Sequence, residues 1–300
     1  MAVVRVDVGV CGLVSGDAAA CAAAAALPPG APLAVMIHGY RYRPDDGRAC
    51  PHRTLYAHVP AVPRVTSWPA ALRLAAAGGM AVGLGWDGRG TLHGAYLRAG
   101  TAGEALARLL PALRAAAPQA RITLIGHSMG ARVALAALRR VRPGDVDAAI
   151  LLAPAEFRAL AQAAADSPGG RAARIVSVTS RENAVFDRGL GFLLAGGLAP
   201  MLGEGLPEPR AHWTDVHLHD TESLARLAAL GHPVAPPQAR VCHWSAYTRP
   251  GALPLYRALI DGTLPPDRLA AALPARAPRR GRMGPRRLIP ALPRLRNVST

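Results

Sequence analysis

The sequence contains no lysine, and all 35 of its basic residues are arginine. Glycine and proline are abundant, with 31 and 28 residues, and alanine fills long stretches of the chain. This composition is typical of a coding sequence biased towards G and C bases. The formal net charge of +16 is therefore weak evidence for a nucleic-acid partner, and we expect none.

Aromatic residues are scarce, at 4% of the chain, and the basic C-terminal segment has none. Residues 275–300 carry eight arginines and no acidic residue. A segment rich in Pro and Arg is expected to be disordered and solvated, and without aromatics it cannot stack on bases. The sequence therefore predicts a globular domain over residues 1–265 and a disordered tail over 266–300. That tail leaves open a weak contact with anionic membranes.

Cysteine is also rare, and the four cysteines form no Cys-x-x-Cys pair. Their wide spacing indicates reduced thiols in a cytoplasmic protein rather than a disulfide framework or a zinc site. No apolar run reaches the roughly 18 residues that a membrane helix needs. The alternating run VVRVDVGV near the start predicts an opening β-strand rather than a secretory signal. We expect no cofactor.

Short apolar runs alternate with longer amphipathic segments along the rest of the chain. This alternation implies crossover connections, so the sequence predicts an α/β fold with a mainly parallel central sheet and helices on both faces. Further strands are predicted over residues 33–38, 80–86, 122–126, 147–154, 174–180 and 214–219. Helices are predicted near 68–77, over 101–117, 129–141, 155–165 and 221–230, and in a last segment ending near 262.

The motif with the most chemical content lies in RITLIGHSMGARVALAAL, residues 121–138. Gly-x-Ser-x-Gly alone is a weak signal in a glycine-rich chain, but here a buried strand leads into it and a helix leads out. In that context the serine is held on a strained turn, and Gly126 and Gly130 let strand and helix pass closely. We therefore predict that Ser128 is a catalytic nucleophile. A structural serine in a tight turn is the alternative.

A serine nucleophile needs a base, which in this arrangement follows both the serine and the acid along the chain. His243, in the loop RVCHWSAY before the last helix, is predicted to be that base. His217 and His219 are its rivals. Because Asp215 and Asp220 stand beside them, these two histidines also suggest a metal-binding site as an alternative. No further His or Cys stands at ligand spacing, so we expect no metal.

The acid should follow the strand over residues 174–180, within the segment SRENAVFD. Asn183 occupies the position counted from the strand end, Asp187 supplies a charge if the loop folds back, and Glu182 ranks third. An amide can orient an imidazole but stabilises the imidazolium less than a carboxylate does. The sequence leaves Asn183 and Asp187 as equal candidates.

An oxyanion formed on the substrate needs backbone N–H donors. Met129 begins the helix after the serine, so its N–H is the first predicted donor. In MIHGYRY, Gly39 follows an early strand and lets the backbone approach the site. The N–H of Tyr40 or its neighbour is then the second predicted donor, and an ordinary turn is the alternative.

The motifs follow one another in a fixed order: HG after an early strand, GHSMG, an acid loop and a late histidine. In this order of motifs the sequence resembles the α/β-hydrolase superfamily over roughly residues 30–262. The stretches VMIHGYR, GLGWDGRGTLHGAY and DVHLHD further resemble bacterial members of unknown function. The resemblance implies an eight-stranded core and a serine-hydrolase mechanism. It carries Ser128 as nucleophile, His243 as base, and Met129 and Tyr40 as oxyanion donors. The sequence departs from the superfamily at Asn183, where an aspartate is usual.

These features predict a serine esterase, or lipase-like enzyme, that cleaves a carboxylic ester or related acyl bond of a small-molecule substrate. An acyltransferase would use the same triad, and a non-catalytic scaffold of the same fold would keep the serine turn without the chemistry. The loop over residues 188–212 is apolar and Gly-rich. It predicts either a lid or acyl pocket or a buried packing helix, and the sequence favours neither.

Overall fold

The computed structural model describes residues 3–9, 15–62, 65–196 and 199–273. Cys11 and the basic segment from residue 274 lie outside these ranges, together with the disorder predicted for that segment. Within them, seven strands form one sheet. They are β1 (Val4–Asp7), β2 (Pro32–Ile37), β3 (Met80–Gly85), β4 (Arg121–His127), β5 (Ala148–Leu152), β6 (Arg174–Thr179) and β7 (Trp213–His217).

All neighbouring strands of this sheet run parallel, in the order β1-β3-β2-β4-β5-β6-β7. Parallel neighbours require crossover connections, and helices supply most of them. The predicted fold class is therefore confirmed. The resemblance implies eight strands, whereas the described sheet has seven, because β1 adds directly to the outer side of β3 and no further strand follows it there.

The helices cover both faces of the sheet. No helix in the described part of the chain combines the length and the apolar composition needed to cross a membrane. The helices are α1 (Asp17–Ala25), α2 (Trp68–Leu72), α3 (Leu92–Ala116), α4 (Met129–Leu138), α5 (Arg158–Ala165), α6 (Pro168–Ala172), α7 (Ala184–Ala195), α8 (Thr221–Ala229), α9 (Ser245–Thr248), α10 (Ala252–Asp261) and α11 (Pro266–Ala272).

Strand side chains alternate between two hydrophobic clusters, one on each face of the sheet. In β2, Leu33, Val35 and Ile37 belong to the cluster that contains α1, α3 and α4. Ala34 and Met36 belong to the cluster that contains α2 and α10. Because both faces are covered, β2 is apolar throughout. Strand β4 lies at the centre of the sheet, so the residue that follows it stands at the middle of the carboxyl edge.

Helix α3 begins well before its predicted start at residue 101. Glycines such as Gly94 and Gly103 lower the helix propensity of this stretch, which hides the helix from a reading based on propensity. In the fold, the Thr91 hydroxyl caps the helix by accepting a hydrogen bond from the Gly94 N–H at 3.1 Å. Gly103 packs closely against α4.

The described part of the chain extends past the predicted domain boundary at residue 265. Helix α11 follows it directly, and Leu269 and Leu273 are buried in the same cluster as α10. Asp267 forms an ion pair with Arg174 at the start of β6, with 2.9 Å between Oδ1 and Nε. Leu269 and Leu273 lie four residues apart and bury one side of a short helix, a spacing too brief to stand out within the Pro- and Arg-rich composition.

The apolar segment over residues 188–212 is divided between two environments. Its first residues continue α7, and one face of that helix is exposed. Met201, Leu202 and Leu206 are buried, and Met201 forms an isolated β-bridge with Phe157. Part of the segment is therefore buried and part is exposed, and the choice between a lid or acyl pocket and a buried packing helix stays a prediction.

Gly103 should tolerate no side chain, although it lies inside a helix. An alanine Cβ there would lie 2.5 Å from the Ala136 Cβ and 2.6 Å from the Val133 carbonyl oxygen. We expect Gly103→Ala to lower the free energy of unfolding by about 1–3 kcal/mol despite its gain in helix propensity. Gly189→Ala in α7, where nothing lies within 4 Å, should raise it by about 0.5–1 kcal/mol. Urea denaturation measures both variants, and equal effects would contradict the close contact of α3 with α4.

Candidate active site

Ser128 occupies the turn between β4 and α4, and its backbone is strained. Its φ of 56° and ψ of −119° lie in a region that non-glycine residues rarely adopt. Three backbone hydrogen bonds hold this turn. The Ser128 N–H donates to the Leu152 carbonyl at 2.9 Å, and the Ser128 carbonyl accepts from Ala131 at 3.0 Å and Ala155 at 3.1 Å. The neighbouring strand and the first turn of α4 therefore keep the strained conformation in place.

Two glycines make this turn possible. A Cβ on Gly126 would lie 2.5 Å from the Gly130 carbonyl oxygen, and a Cβ on Gly130 would collide with the carbonyl oxygen of Ile37. Helix α4 thus starts in direct backbone contact with β2 and β4. This geometry agrees with the close passage predicted for the two glycines.

A chain of hydrogen bonds leads away from the serine hydroxyl. Ser128 Oγ lies 2.8 Å from His243 Nε2, and His243 Nδ1 lies 2.6 Å from Asn183 Oδ1. Asn183 Nδ2 donates in turn to Asp187 Oδ1 at 2.9 Å. Because a carboxylate oxygen only accepts, the amide directs its NH₂ group to Asp187 and its oxygen to the imidazole. Nδ1 therefore carries the imidazole proton, and Nε2 is free to accept the serine proton.

The structure thereby separates the two candidates for the acid position. Asn183 contacts the imidazole directly, and Asp187 contacts Asn183 from behind. The two residues stand four positions apart, and α7 begins immediately after Asn183, so one side chain lies behind the other along the helix. Both predicted residues are brought to the site, in different positions.

Burial controls the protonation of this chain of groups. It lowers the pKa of His243 to about 4, so the imidazole is neutral at pH 7 and available as a base. Burial also raises the pKa of Asp187 to about 7; the hydrogen bond from Asn183 opposes this rise, and the negative charge of Glu204 adds to it. Asp187 therefore changes its charge in the neutral range.

Glu182, the third candidate for the acid, is engaged in a buried ion pair instead. Its carboxylate bonds to the guanidinium of Arg249, to the Ser180 hydroxyl at 3.0 Å and to the Ala239 N–H at 3.2 Å. Burial alone would raise the pKa of Glu182, but hydrogen bonds from Ser245 and Ser180 and the charge of Arg249 together lower it. Glu182 thus joins the segment that carries the amide to the segment that carries the imidazole.

The histidine of the serine motif, His127, supports the predicted base, a role that the sequence analysis missed. His127 Nε2 lies 2.9 Å from the backbone carbonyl oxygen of His243 and donates to it. The His127 ring centroid is 4.7 Å from that of His243 and 4.9 Å from that of Tyr247. Burial lowers the pKa of His127 to about 3, so this ring stays neutral. The position of His127 directly before Ser128 in the sequence was the signal that could have indicated this role.

The two predicted oxyanion donors have no acceptor for their N–H groups in the local backbone. Met129 is the first residue of α4, where N–H groups have no partner within the helix. Within the described ranges the Tyr40 N–H reaches no backbone acceptor, whereas the next N–H, of Arg41, is bonded. A Cβ on Gly39 would lie 3.0 Å from the Ser128 Cβ, so this loop passes directly beside the serine.

His38 holds the loop after β2 in place. Its ring stacks on Trp86 with centroids 5.2 Å apart, and Nε2 accepts the Trp86 backbone N–H at 3.1 Å. Nδ1 donates to the Gly39 carbonyl at 2.8 Å, and the Trp86 indole N–H bonds back to the His38 carbonyl at 3.0 Å. Burial lowers the pKa of His38 to about 3, so a single neutral tautomer persists. The loop is therefore attached to the end of β3.

A buried ion pair that the sequence did not predict supports α4. Arg132 lies one turn after the serine and pairs with Glu156, with 2.6 Å between Nη1 and Oε2. Its guanidinium also lies over the Tyr96 ring, 3.6 Å from the centroid. The Tyr96 hydroxyl and the Phe157 N–H donate to the same carboxylate, so its oxygens are well satisfied. This network joins α3, α4 and the segment after β5.

His243, rather than His217 or His219, is the imidazole at the serine hydroxyl. His217 Nδ1 lies 2.8 Å from the Thr179 hydroxyl, and the two rival rings are 5.7 Å apart. His217 and Asp215 line a cleft of about 410 Å³ along β7, and Ser128, His243, Asn183 and Asp187 do not line it. Across the four described ranges, no three His, Cys, Asp or Glu side chains cluster as metal ligands.

Comparison with known families agrees with this fold. A family model described as the alpha/beta hydrolase fold matches residues 88–189, about a third of the chain. The match spans the serine turn and Asn183 and excludes Tyr40 and His243. Among curated proteins, none matches the chain significantly. The family match and the parallel sheet with helices on both faces agree that the chain has the α/β-hydrolase fold.

Glu182→Gln should destabilise the fold strongly, because it leaves the buried guanidinium of Arg249 without its counter-charge. Loss of one partner of a buried ion pair costs about 3–5 kcal/mol. As a matched control, Glu104→Gln breaks an exposed pair with Arg140 and should cost less than about 1 kcal/mol. Urea unfolding at neutral pH compares the two variants.

The same comparison depends on pH in a defined direction. The pKa of Glu182 is lowered from 4.5 in the fold, so its stabilisation is complete above pH 4.5 and is lost as the pH falls through the lower folded-state pKa. The difference in the free energy of unfolding between wild type and Glu182→Gln should therefore become smaller in acid. A difference that stayed constant across this range would contradict the ion-pair role.

Proposed function

We propose that the protein is a serine hydrolase that cleaves a carboxylic ester or a related acyl bond. The observation that carries the proposal is the 2.8 Å separation of Ser128 Oγ and His243 Nε2, at a strained turn on the carboxyl edge of the sheet. The match to the alpha/beta hydrolase fold supports it, because a serine on such a strand-to-helix turn is the nucleophile of this fold.

In the first half of the reaction, Ser128 Oγ attacks the carbonyl carbon and its proton passes to His243 Nε2. His243 Nδ1 keeps its own proton, which forms a hydrogen bond to Asn183 Oδ1. The carbonyl oxygen becomes an oxyanion, which the N–H groups of Met129 and Tyr40 stabilise. The positive end of the α4 dipole adds to this stabilisation.

The tetrahedral adduct then collapses, and the bond from carbon to the leaving oxygen breaks. The imidazolium of His243 gives its proton to that oxygen, so an alcohol departs and an acyl-serine remains. A water molecule attacks the acyl-serine, and His243 takes one of its protons. Collapse of this second adduct returns the proton to Ser128 and releases the carboxylic acid.

Asn183 in the acid position changes the electrostatics of the base. Its amide oxygen orients the imidazole but carries only a partial charge, so it stabilises the imidazolium less than a carboxylate would. Asp187 supplies a full negative charge one hydrogen bond further away when it is ionised. The proposed relay therefore has four members, in which Asn183 supplies the orientation and Asp187 the charge.

A non-catalytic scaffold that binds a ligand is the second candidate, and the amide at position 183 is the observation that favours it. An acyltransferase would share the acyl-serine step and differ only in the acceptor. The proposed substrate is a small-molecule acyl ester. The described cysteines Cys21, Cys50 and Cys242 are free thiols, which supports the proposal of a reducing, cytoplasmic location.

Ser128→Ala should abolish turnover of p-nitrophenyl esters, because it removes the proposed nucleophile. We expect kcat/KM to fall by at least about 10³-fold, because the variant lacks the hydroxyl that contacts His243 Nε2. Wild type should also react with a fluorophosphonate, which the serine oxygen attacks at phosphorus with loss of fluoride. Intact-mass and peptide mass spectrometry locate the adduct.

Ser67→Ala serves as the control, because that serine caps α2 and takes no part in the proposed chemistry. This variant should still form the fluorophosphonate adduct and should still hydrolyse p-nitrophenyl esters. Circular dichroism verifies that each variant is folded. Absence of an adduct on wild-type Ser128 would favour the scaffold, and turnover that survives Ser128→Ala would overturn the nucleophile assignment.

The pH dependence of kcat/KM should rise in two steps. The lower step, near pH 4, follows the pKa of His243, because only the neutral imidazole accepts a proton. The upper step, near pH 7, follows the pKa of Asp187, because its negative charge stabilises the imidazolium through Asn183. One charge at this separation contributes about 1–2 kcal/mol, or about 5- to 30-fold in rate.

Asp187→Asn should remove the upper step and keep the lower one. Glu204→Gln should move the upper step to lower pH, because the negative charge of Glu204 raises the pKa of Asp187. Initial rates on a soluble ester across the range from acid to weak alkali measure both. An upper step that persists unchanged in Asp187→Asn would exclude Asp187 from the relay.

A further inference from the structure

Helix α7 is apolar on two opposite faces. Leu190 and Gly191 are buried against the domain, as expected for a surface helix. Its outer face is also apolar, since Val185, Phe186, Phe192 and Leu193 are 59%, 42%, 60% and 63% exposed. These four residues repeat at a spacing of seven and therefore form one stripe along the helix. An exposed stripe of large apolar side chains normally marks a surface that binds a partner.

The stripe continues into the loop that carries the proposed base. The Phe186 ring lies 4.8 Å from the His243 ring, and Val241 and Trp244 in that loop are 51% and 54% exposed. We call the six exposed side chains the apolar rim: Val185, Phe186, Phe192, Leu193, Val241 and Trp244. Only two other large apolar side chains in the described ranges, Val59 and Val62, are exposed to this degree. The exposed apolar surface is therefore concentrated around the proposed site.

Unpaired positive charges lie among the residues of the rim. Arg181, Arg188 and Arg240 are all exposed, and none of them forms an ion pair with another described residue. Arg181 precedes α7, Arg188 lies on it, and Arg240 precedes Val241. No acidic side chain on the outer face of α7 balances them, because Asp187 is turned inward to Asn183. The surface is therefore both apolar and cationic.

This combination fits a lipid surface better than a protein partner. Aromatic and aliphatic side chains that enter the headgroup region, with arginines beside anionic headgroups, are typical of helices that lie in a membrane interface. A stable protein interface uses about 20–30 residues on each side, far more than the six apolar residues and three arginines here. The charge also selects anionic rather than neutral lipid.

We propose that the apolar rim binds an anionic lipid surface and that the site takes an acyl ester of a lipid presented from that surface. The first part stands on the rim alone, and the second rests on the proposed hydrolase function. Binding brings Phe186, and with it the His243 imidazole, next to the acyl chains. The ester of a lipid in the surface then reaches Ser128 without passing through bulk water.

The binding test uses full-length Ser128→Ala protein, so that no lipid is consumed. Co-sedimentation is measured with vesicles of phosphatidylcholine and phosphatidylglycerol, and with vesicles of phosphatidylcholine alone. We expect binding to the anionic vesicles, and at least a tenfold weaker partition for Phe192→Ser with Leu193→Ser. Val59→Ser with Val62→Ser is the matched control and should bind as the parent does.

A second pair of variants tests the charge. Arg188→Gln with Arg240→Gln should weaken binding to anionic vesicles by about fivefold for each arginine, whereas Arg139→Gln at the far end of α4 should leave it unchanged. All variants keep the arginines of residues 274–300. If the Phe192 and Leu193 changes leave binding at the control level, the basic segment or another surface accounts for it and the proposal is overturned. Absence of any vesicle binding by the parent overturns it as well.

Sedimentation velocity without lipid tests the alternative partner. A dimer of the parent that the Phe192 and Leu193 changes dissociate would make the rim a protein contact and overturn the proposal. We expect both the parent and the Phe192→Ser, Leu193→Ser variant to sediment as monomers.

The substrate arm uses proteins with Ser128 intact. The ratio of lipid-ester hydrolysis in vesicles to hydrolysis of a soluble ester should fall at least tenfold in Phe192→Ser with Leu193→Ser. An unchanged ratio would overturn the lipid as substrate. If wild type binds vesicles but turns over neither ester, the hydrolase function fails while the surface stands. If wild type turns over the soluble ester but does not bind vesicles, the hydrolase function stands and the lipid-binding surface fails.

Discussion

The strained backbone at Ser128 is the constraint on which the rest of the site depends. The turn exists because Gly126 and Gly130 let the start of α4 lie in backbone contact with β2 and β4, closer than any side chain would permit. That contact sets the position of the serine hydroxyl and of the Met129 N–H together. It also places the serine beside the loop of Gly39, so the proposed nucleophile and the proposed oxyanion donors share one rigid frame.

The other half of the site depends on buried polar contacts, because no strand or long helix carries His243. Its backbone carbonyl is held by His127, its ring by Asn183, and its loop by the pair of Glu182 with Arg249. Each of these groups is desolvated and each is paired, which makes the arrangement specific rather than merely compact. The relay from serine to Asp187 is thus supported from two sides.

Local patterns explain which parts of the fold were predictable. Strands β2 and β3 are covered on both faces, so their sequences are continuous apolar runs that stand out at once. The first turns of α3 and all of α11 did not stand out, because glycine-rich and arginine-rich compositions obscure short apolar spacings. Ser128 was predictable since its motif is contiguous. His127 was not assigned a role, because its contact lies on a distant loop.

The sequence by itself determined the alternation of strands and helices and the strained serine turn, since both depend on neighbours along the chain. Only the tertiary structure decided the sheet order, the direct contact of Asn183 rather than Asp187 with the imidazole, and the exposure of the apolar rim. The physical reason is distance along the chain. Ser128 and His243 are separated by 115 positions, and their hydrogen bond exists only because independent segments pack at one edge of the sheet.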